Sequence, residues 1–283
     1  MKNFVPDFIQ EKYKSREMTG SLVCPVISID LVGFTKISDI LISQGKEGAE
    51  TLSEIINDVF SPAIESVYKH DGFISGFSGD AFTALFPKSN ELTAVSAAFS
   101  ILESFAHLEF KIKDKIFLLK VKIGISYGEV IWEITSSDSG NVYFFHGDGI
   151  YKACSCQKLC NPNQIIADDA IIKKNKNEIQ YRSSGKYFIL EKLLKKPEYA
   201  GRIKKTKPYK NIISKFIPVE LLELKDVNEF RKVASLFISF SSLKNQEQLI
   251  TGIIELTKKY GGFLNKIEYG DKGYLALILF GAP

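Results

Sequence analysis

Asp30 and Asp80 are the carboxylates whose surroundings could support chemistry. Asp30 closes the apolar run Val26-Ile27-Ser28-Ile29 and is followed by Leu31-Val32-Gly33-Phe34-Thr35. Asp80 lies in Ser78-Gly79-Asp80, with apolar residues on both sides and Gly72 and Gly76 as punctuation. A short apolar run ending this way reads as a buried strand with Asp30 at its mouth, and Gly33 and Thr35 read as the opening of a helix. The second stretch reads as a hairpin with Asp80 at its tip. If the strands are neighbours in one sheet, the two carboxylates converge beside the backbone amides of Gly33, Phe34 and Thr35. Such a site offers oxygens to a hard divalent cation and N–H groups to a phosphate, which suits a nucleoside triphosphate. Either carboxylate alone reads more readily as a strand cap or a turn corner than as a functional group.

The elements that must position them follow from periodicity. Residues 4–14 have apolar residues at helical spacing and lead into the first strand. A helical region spans residues 35–70, with Ala49, Leu52, Ile55, Ile56, Val59, Phe60, Ile64 and Val67 on one face and a kink expected at Pro62. After the hairpin, Leu92, Val95, Phe99, Leu102 and Phe105 mark a second helix. A strand over 116–126, a turn at Tyr127-Gly128 and a strand through Trp132 come next. A polar loop over 136–141, a strand over 142–145, a helix over 147–158 and strands near 164–167, 179–182 and 187–190 complete the series. Strands and helices interspersed without regular alternation indicate an α+β domain built on a mixed sheet.

The pattern D-x-x-G-F-T followed by G-D at a hairpin tip resembles the class III nucleotidyl cyclases. It is most similar to the bicarbonate-responsive soluble adenylyl cyclases and related large bacterial enzymes, which carry two cyclase domains in tandem. The resemblance implies a ferredoxin-like catalytic domain that converts ATP to 3′,5′-cyclic AMP. It also implies two Mg²⁺ or Mn²⁺ ions on Asp30 and Asp80, assisted by the main-chain carbonyl of Leu31. In Lys122-Ile123-Gly124-Ile125, Lys122 matches the basic residue that grips the terminal phosphates. Lys120, on the same strand face, has no assigned role and reads as a solvated strand edge.

Beyond the first domain, residues 1–190, the Lys- and Pro-containing segment 191–215 reads as a linker, and the chain then starts again over 216–283. Phe216-Ile217-Pro218 echoes Phe4-Val5-Pro6, the run 236–240 echoes the strand of Asp30, and Gly261-Gly262 opens a new hairpin. Ser239 falls where Asp30 stood, and Lys266 falls where the first copy has Gly76. The resemblance assigns base reading to a lysine at the position of Lys266, and it implies pairing of the two domains or a homodimer. By the resemblance, residues 216–283 correspond to the N-terminal half of a second domain, so residues 1–283 alone are expected to cyclise ATP slowly or not at all. The relatives' bicarbonate-binding lysine and arginine are replaced by Gly76 and Cys154, which removes the basis for a bicarbonate response.

Composition narrows the rest. A chain of 283 residues, 45% hydrophobic, can bury more than one core, and a net charge of +4 does not mark a nucleic-acid binder. No apolar run is long enough to span a membrane and no secretory leader is legible at the N-terminus, so a cytoplasmic location is expected. Cys24, Cys154, Cys156 and Cys160 read as reduced thiols, with Cys154 and Cys156 on different faces of their helix. His70, His107 and His146 read as turn, helix and strand-end residues.

Overall fold

The computed structural model describes residues 5–106, 108–112, 114–197, 209–223, 232–241, 245–270 and 273–281. In chain order the elements are α1 (Asp7–Lys14), β1 (Thr19–Val32), α2 (Phe34–Ile42), α3 (Lys46–Lys69), β2 (Phe73–Ser78), β3 (Ala81–Leu85), α4 (Glu91–Ser104), β4 (Glu109–Ile112) and β5 (Lys115–Leu118). They continue with β6 (Lys120–Ser137), β7 (Gly140–His146), α5 (Asp148–Leu159), β8 (Gln164–Ala167), α6 (Asp169–Asn175), β9 (Ile179–Ser184) and β10 (Tyr187–Leu193). The last are α7 (Lys210–Ile213), α8 (Val219–Glu223), β11 (Ala234–Phe240), α9 (Gln246–Lys259), β12 (Gly262–Gly270) and β13 (Gly273–Phe280). Among the described residues no helix is long and apolar enough to cross a membrane. His107 lies outside the described residues.

The chain forms two compact units. The first comprises residues 1–21, 131–146 and 204–283, and the second residues 22–130 and 147–203. The second unit is α+β, with strands in the order β2-β3-β1-β6-β8-β10-β9. Its sheet is mixed: β1 and β3 are antiparallel, whereas β6 and β8 are parallel. Its core gathers Ile27 and Ile29 of β1, Leu52, Val59 and Val67 of α3, and Val95 and Ile101 of α4. Alternation along β1 and helical spacing along α3 and α4 send these side chains inward, and their removal from water is the main force holding the unit together.

Two local readings are corrected here. The helical region of residues 35–70 is two helices, because Ser43-Gln44-Gly45 interrupts it and Gly45 takes φ +68, a left-handed conformation that glycine adopts without steric cost. The second helix then runs through Pro62 to Lys69. No turn occurs at Tyr127-Gly128, since β6 is continuous there. Gly128 serves a close approach instead: a Cβ at this position would lie 3.0 Å from Gly149 Cα.

The first unit is built on the outer part of β6, its antiparallel partner β7, and the three-stranded sheet β11-β13-β12. Val142 and Phe144 of β7 share a core with Ile250 and Ile254 of α9, Ile267 of β12, and Tyr274 and Ala276 of β13. His146 sits in this unit at the end of β7, with Nε2 2.7 Å from Glu133 Oε1 and Nδ1 3.0 Å from the Tyr274 hydroxyl. Pro6 precedes α1 and Pro218 precedes α8, where a proline's missing N–H costs a helix nothing.

The path β11, α9, β12, β13 follows that of β1, α2–α3, β2, β3. In each case the first strand pairs antiparallel with the fourth element, which pairs antiparallel with the third. Each hairpin also carries an irregularity at one place, between Ile74 and Gly76 in the earlier hairpin and between Leu264 and Lys266 in the later one.

Candidate functional site

The candidate site lies in the second unit, at the end of β1. Pairing of β1 with β3 puts Asp30 opposite Ala81, next to the turn that carries Asp80. Asp30 is half-buried, and its carboxyl is raised above the ordinary range, first by burial and then by the negative charge of Asp80. The Lys122 ammonium and a hydrogen bond from the Gln157 side chain act in the opposite direction. Asp30, Asp80, Lys122 and Gln157 therefore share one electrostatic environment.

Local sequence explains each placement. Gly33 has φ +100 and turns the chain from β1 into α2, and a Cβ there would lie 3.3 Å from Leu118 O. Phe34 begins α2 and packs edge-on against Phe60 at 6.3 Å between ring centroids, which fixes the helix start. Thr35 follows, exposed, and its Oγ1 donates to Asp80 Oδ2 at 3.3 Å. Leu31 is buried in the core, anchoring the backbone beside Asp30. The N–H groups of the first turn of α2 have no intrahelical acceptors and so form an electropositive end beside the carboxylates.

Lys122 lies in β6, opposite Gln164 of the parallel strand β8. Gln157, which the sequence reading missed, comes from α5, and Gly124 explains how it reaches Asp30. A Cβ on Gly124 would lie 2.1 Å from Ala153 O and 2.3 Å from Gln157 N, so α5 sits against β6 at a distance that only glycine permits. Glycine in a strand interior is a signal of such close approach.

The donor set suits a hard divalent ion in part. The negative charge of Asp80 raises the proton affinity of Asp30, and a cation between the two carboxylates would relieve that repulsion; Mg²⁺ completes its coordination with water and substrate phosphate. Among the described residues no group of three or more His, Cys, Asp and Glu side chains could hold a metal without such help. Cys156 and Cys160 are buried thiols held in the protonated form by burial, Cys160 at about 11.

Lys266 and Ser239 belong to the first unit. Lys266 lies on β12 opposite Leu277, half-buried, with its ammonium paired to the carboxylate of Glu268. Ser239 lies on β11 opposite Leu275. Glu268, which the sequence does not single out, is the partner the structure gives to Lys266.

No protein-family model matches the chain. A terminal-differentiation specific adenylate cyclase of Dictyostelium discoideum is 26% identical over 148 residues, covering 51% of this chain and 7% of that protein. Adenylate cyclase type 10 of Mus musculus is 26% identical over 167 residues, covering 56% of this chain and 10% of that protein. The matched part thus spans a tenth or less of these relatives. Among solved structures, the adenylyl cyclase CyaB from P. aeruginosa is similar with TM-score 0.53 and 18% identity, over 64% of this chain and 99% of that one. The guanylate cyclase domain of RhGC from Catenaria anguillulae in complex with GTP gives TM-score 0.52 and 16% identity, over 62% of this chain and 99% of that one. At these identities the structural likeness speaks for the fold.

Proposed function

We propose, for a chain that belongs to the class III nucleotidyl cyclases, that it is an adenylyl cyclase catalytic region. In this reading the ribose 3′-hydroxyl of ATP attacks the α-phosphorus and pyrophosphate leaves. Asp30 and Asp80, with the Leu31 carbonyl, would hold two Mg²⁺ or Mn²⁺ ions, whose chemistry is to lower the hydroxyl pKa and neutralise phosphate charge. The amides of Gly33, Phe34 and Thr35 face the phosphates, Lys122 takes the terminal phosphates, and Gln157 keeps the Asp30 carboxylate in place. Lys266 would donate to adenine N1.

The observation that supports this reading is the strand pairing that sets Asp30 opposite Ala81, next to Asp80, with Thr35 at the start of α2 donating to Asp80; the charge of Lys122 bears on the same Asp30 carboxyl. Residues 216–283 are read as the first half of a second cyclase domain. The shared strand pairing of the two regions and the matching hairpin irregularities support that assignment. Pairing of two such domains, within one protein or between two chains, belongs to the same proposal, as does a cytoplasmic location.

The test is calorimetry of a non-hydrolysable ATP analogue with Mn²⁺. Binding that requires the divalent ion and disappears in Asp30→Ala supports the reading. A second reading, an ATP-binding regulatory module without turnover, draws on Ser239, which leaves β11 without a carboxylate at the register of Asp30. Pyrophosphate release from ATP separates the two: a cyclase releases it, if slowly, whereas the module binds the analogue and releases none from ATP.

A further inference from the structure

The first unit holds a cavity of about 520 Å³ whose wall contains none of the residues assigned above to the nucleotide. It is enclosed by the turn between β6 and β7, the segment between α7 and α8, and the end of α9 with the start of β12, all of the one unit. Phe216, Ile254, Phe263 and Leu264 form its apolar wall. Ile254 is buried in the core shared with β7, and Leu264 packs against that core, so the wall continues the interior of the unit. Phe216 meets Tyr13 and Tyr143 edge-on, at 5.2 and 5.9 Å between ring centroids. The carbonyl of the neighbouring Lys215 accepts from the Asn141 N–H at 2.9 Å, which ties the same segment to β7. The cavity is therefore held open by packed and hydrogen-bonded pieces, and its volume is that of a site for one small molecule.

The rest of the wall is charged. Lys215 and Lys258 line it, both exposed, and among the described residues neither has an ion pair. Glu220 is the carboxylate of the described wall, so two ammonium groups against one carboxylate leave a single positive charge. We propose that this cavity binds a small amphipathic monoanion, an acyl or aryl carboxylate whose apolar body lies on Phe216, Ile254, Phe263 and Leu264 and whose head lies against Lys215 and Lys258. The apolar wall supplies the driving force, because covering it with a hydrocarbon body removes both surfaces from water. The lysines supply the selection. Each is a compact charge on a flexible stem, so a pair of them can follow a carboxylate head without a fixed geometry, while their stems extend the apolar wall. A polyphosphate fits poorly, since it meets one net positive charge and leaves the apolar wall in water. A ligand held here touches the β6–β7 turn, the segment before α8 and α9 at once, so its binding also stabilises the unit.

The experiment is fluorescence titration of the 283-residue chain with anilinonaphthalene sulfonate, an aryl monoanion, followed by displacement with octanoate and with naphthoate. The expected result is saturable binding of one dye per chain, reversed by the carboxylates. Displacement by octanoate alone identifies an acyl ligand, and by naphthoate alone an aryl one; displacement by neither overturns the proposal. Reversing both charges, Lys215→Glu with Lys258→Glu, should weaken the dye about tenfold or more, and an unchanged affinity overturns the proposal. Ser139→Trp and Leu264→Trp add an indole to the wall from the turn and from β12, and at least one of them should abolish binding. Full affinity in both overturns the cavity as the site. Thermal melting confirms that the variants are folded. Two further variants locate the dye. Loss of binding in Phe237→Lys would place it on the exposed strand β11, and loss in Asp30→Ala would place it in the triphosphate site; either result overturns the proposal, whereas full affinity in both supports it. The inference stands apart from the nucleotide reading, so failure of metal-dependent ATP binding leaves it intact.

Discussion

In β1 the residue opposite Ala81 is Asp30, and in β11 the residue opposite Leu275 is Ser239. The two are equivalent by register. The hairpin irregularity places Gly76 opposite Thr83, which pairs with Ser28, and it places Lys266 opposite Leu277, which pairs with Phe237. Two residues on from Ser28 and Phe237 come Asp30 and Ser239. One strand path is thus used twice with different chemistry at two positions: aspartate against serine at the strand mouth, glycine against lysine after the irregularity. Backbone pairing and buried alternation hold the path, and both tolerate exchange of residues that point to the strand's open end. Two regions can therefore keep one strand path while one carries a carboxylate where the other has a hydroxyl, and open space where the other has a cation.

The regions differ also in what covers the first strand. β1 lies between β3 and β6, whereas among the described residues β11 pairs with β13 alone. Ser28 is 6% exposed and its counterpart Phe237 is 59% exposed. Ser28→Lys should cost about 3 kcal/mol or more, since a buried unpaired ammonium has no partner there. Phe237→Lys should stay within about 1 kcal/mol. Urea unfolding of the two variants measures the contrast, and equal losses would show that the two strands are covered alike.

Gly124 and Gly76 sharpen the comparison at intermediate scale. Gly124→Ala drives a methyl group into α5 and should cost about 1–3 kcal/mol while moving Gln157 off Asp30, so thermal stability and Mn²⁺ affinity should fall together. Nothing lies within 4 Å of a Cβ at Gly76. Gly76→Lys, which copies the later region into the earlier, should leave the melting temperature within about 2 °C of the unaltered protein.

A pH scan isolates one carboxyl of the second unit. Burial pushes Asp168 up to about 6 from 3.8, although its side chain caps α6 at Ile171 N. A carboxyl with a raised pKa binds its proton more tightly in the folded state. Its contribution to stability is therefore greatest at low pH, falls as pH rises from about 4 to about 6, and is constant above. Asp168→Asn keeps a capping oxygen and should remove that part of the slope in denaturation measured between these pH values. An unchanged slope would mean that Asp168 titrates normally.

Much of the site could be read from residues close together in the chain. Asp30, Gly33 and Thr35 fall within one strand-to-helix turn, and the hairpin of Asp80 is marked by its glycines. Gln157, delivered from a helix far along the chain, left no such mark. Gln157 reaches Asp30 because Gly124 lets a helix approach a strand, and glycine at Gly128, read as a turn, was likewise a point of close approach. Sequence spacing shows that a glycine is required without showing whether the requirement is a positive φ or a missing Cβ. The break at Gly45 was legible in principle, but the apolar stripe on either side of it masked the interruption. The pairing of Lys266 with Glu268 is likewise visible only in the structure.

The central claim is that the earlier strand path holds the divalent-dependent triphosphate site and the later one does not supply its metal ligand. Calorimetric titration of a non-hydrolysable ATP analogue with Mn²⁺ into the unaltered chain, Asp30→Ala, Asp80→Ala and Ser239→Ala tests it directly. Each aspartate variant should lose metal-dependent binding, a fall of about a hundredfold or more from removal of a charged ligand. Ser239→Ala should bind as the unaltered chain does. Full affinity in both aspartate variants, or loss of binding in Ser239→Ala, would contradict the account.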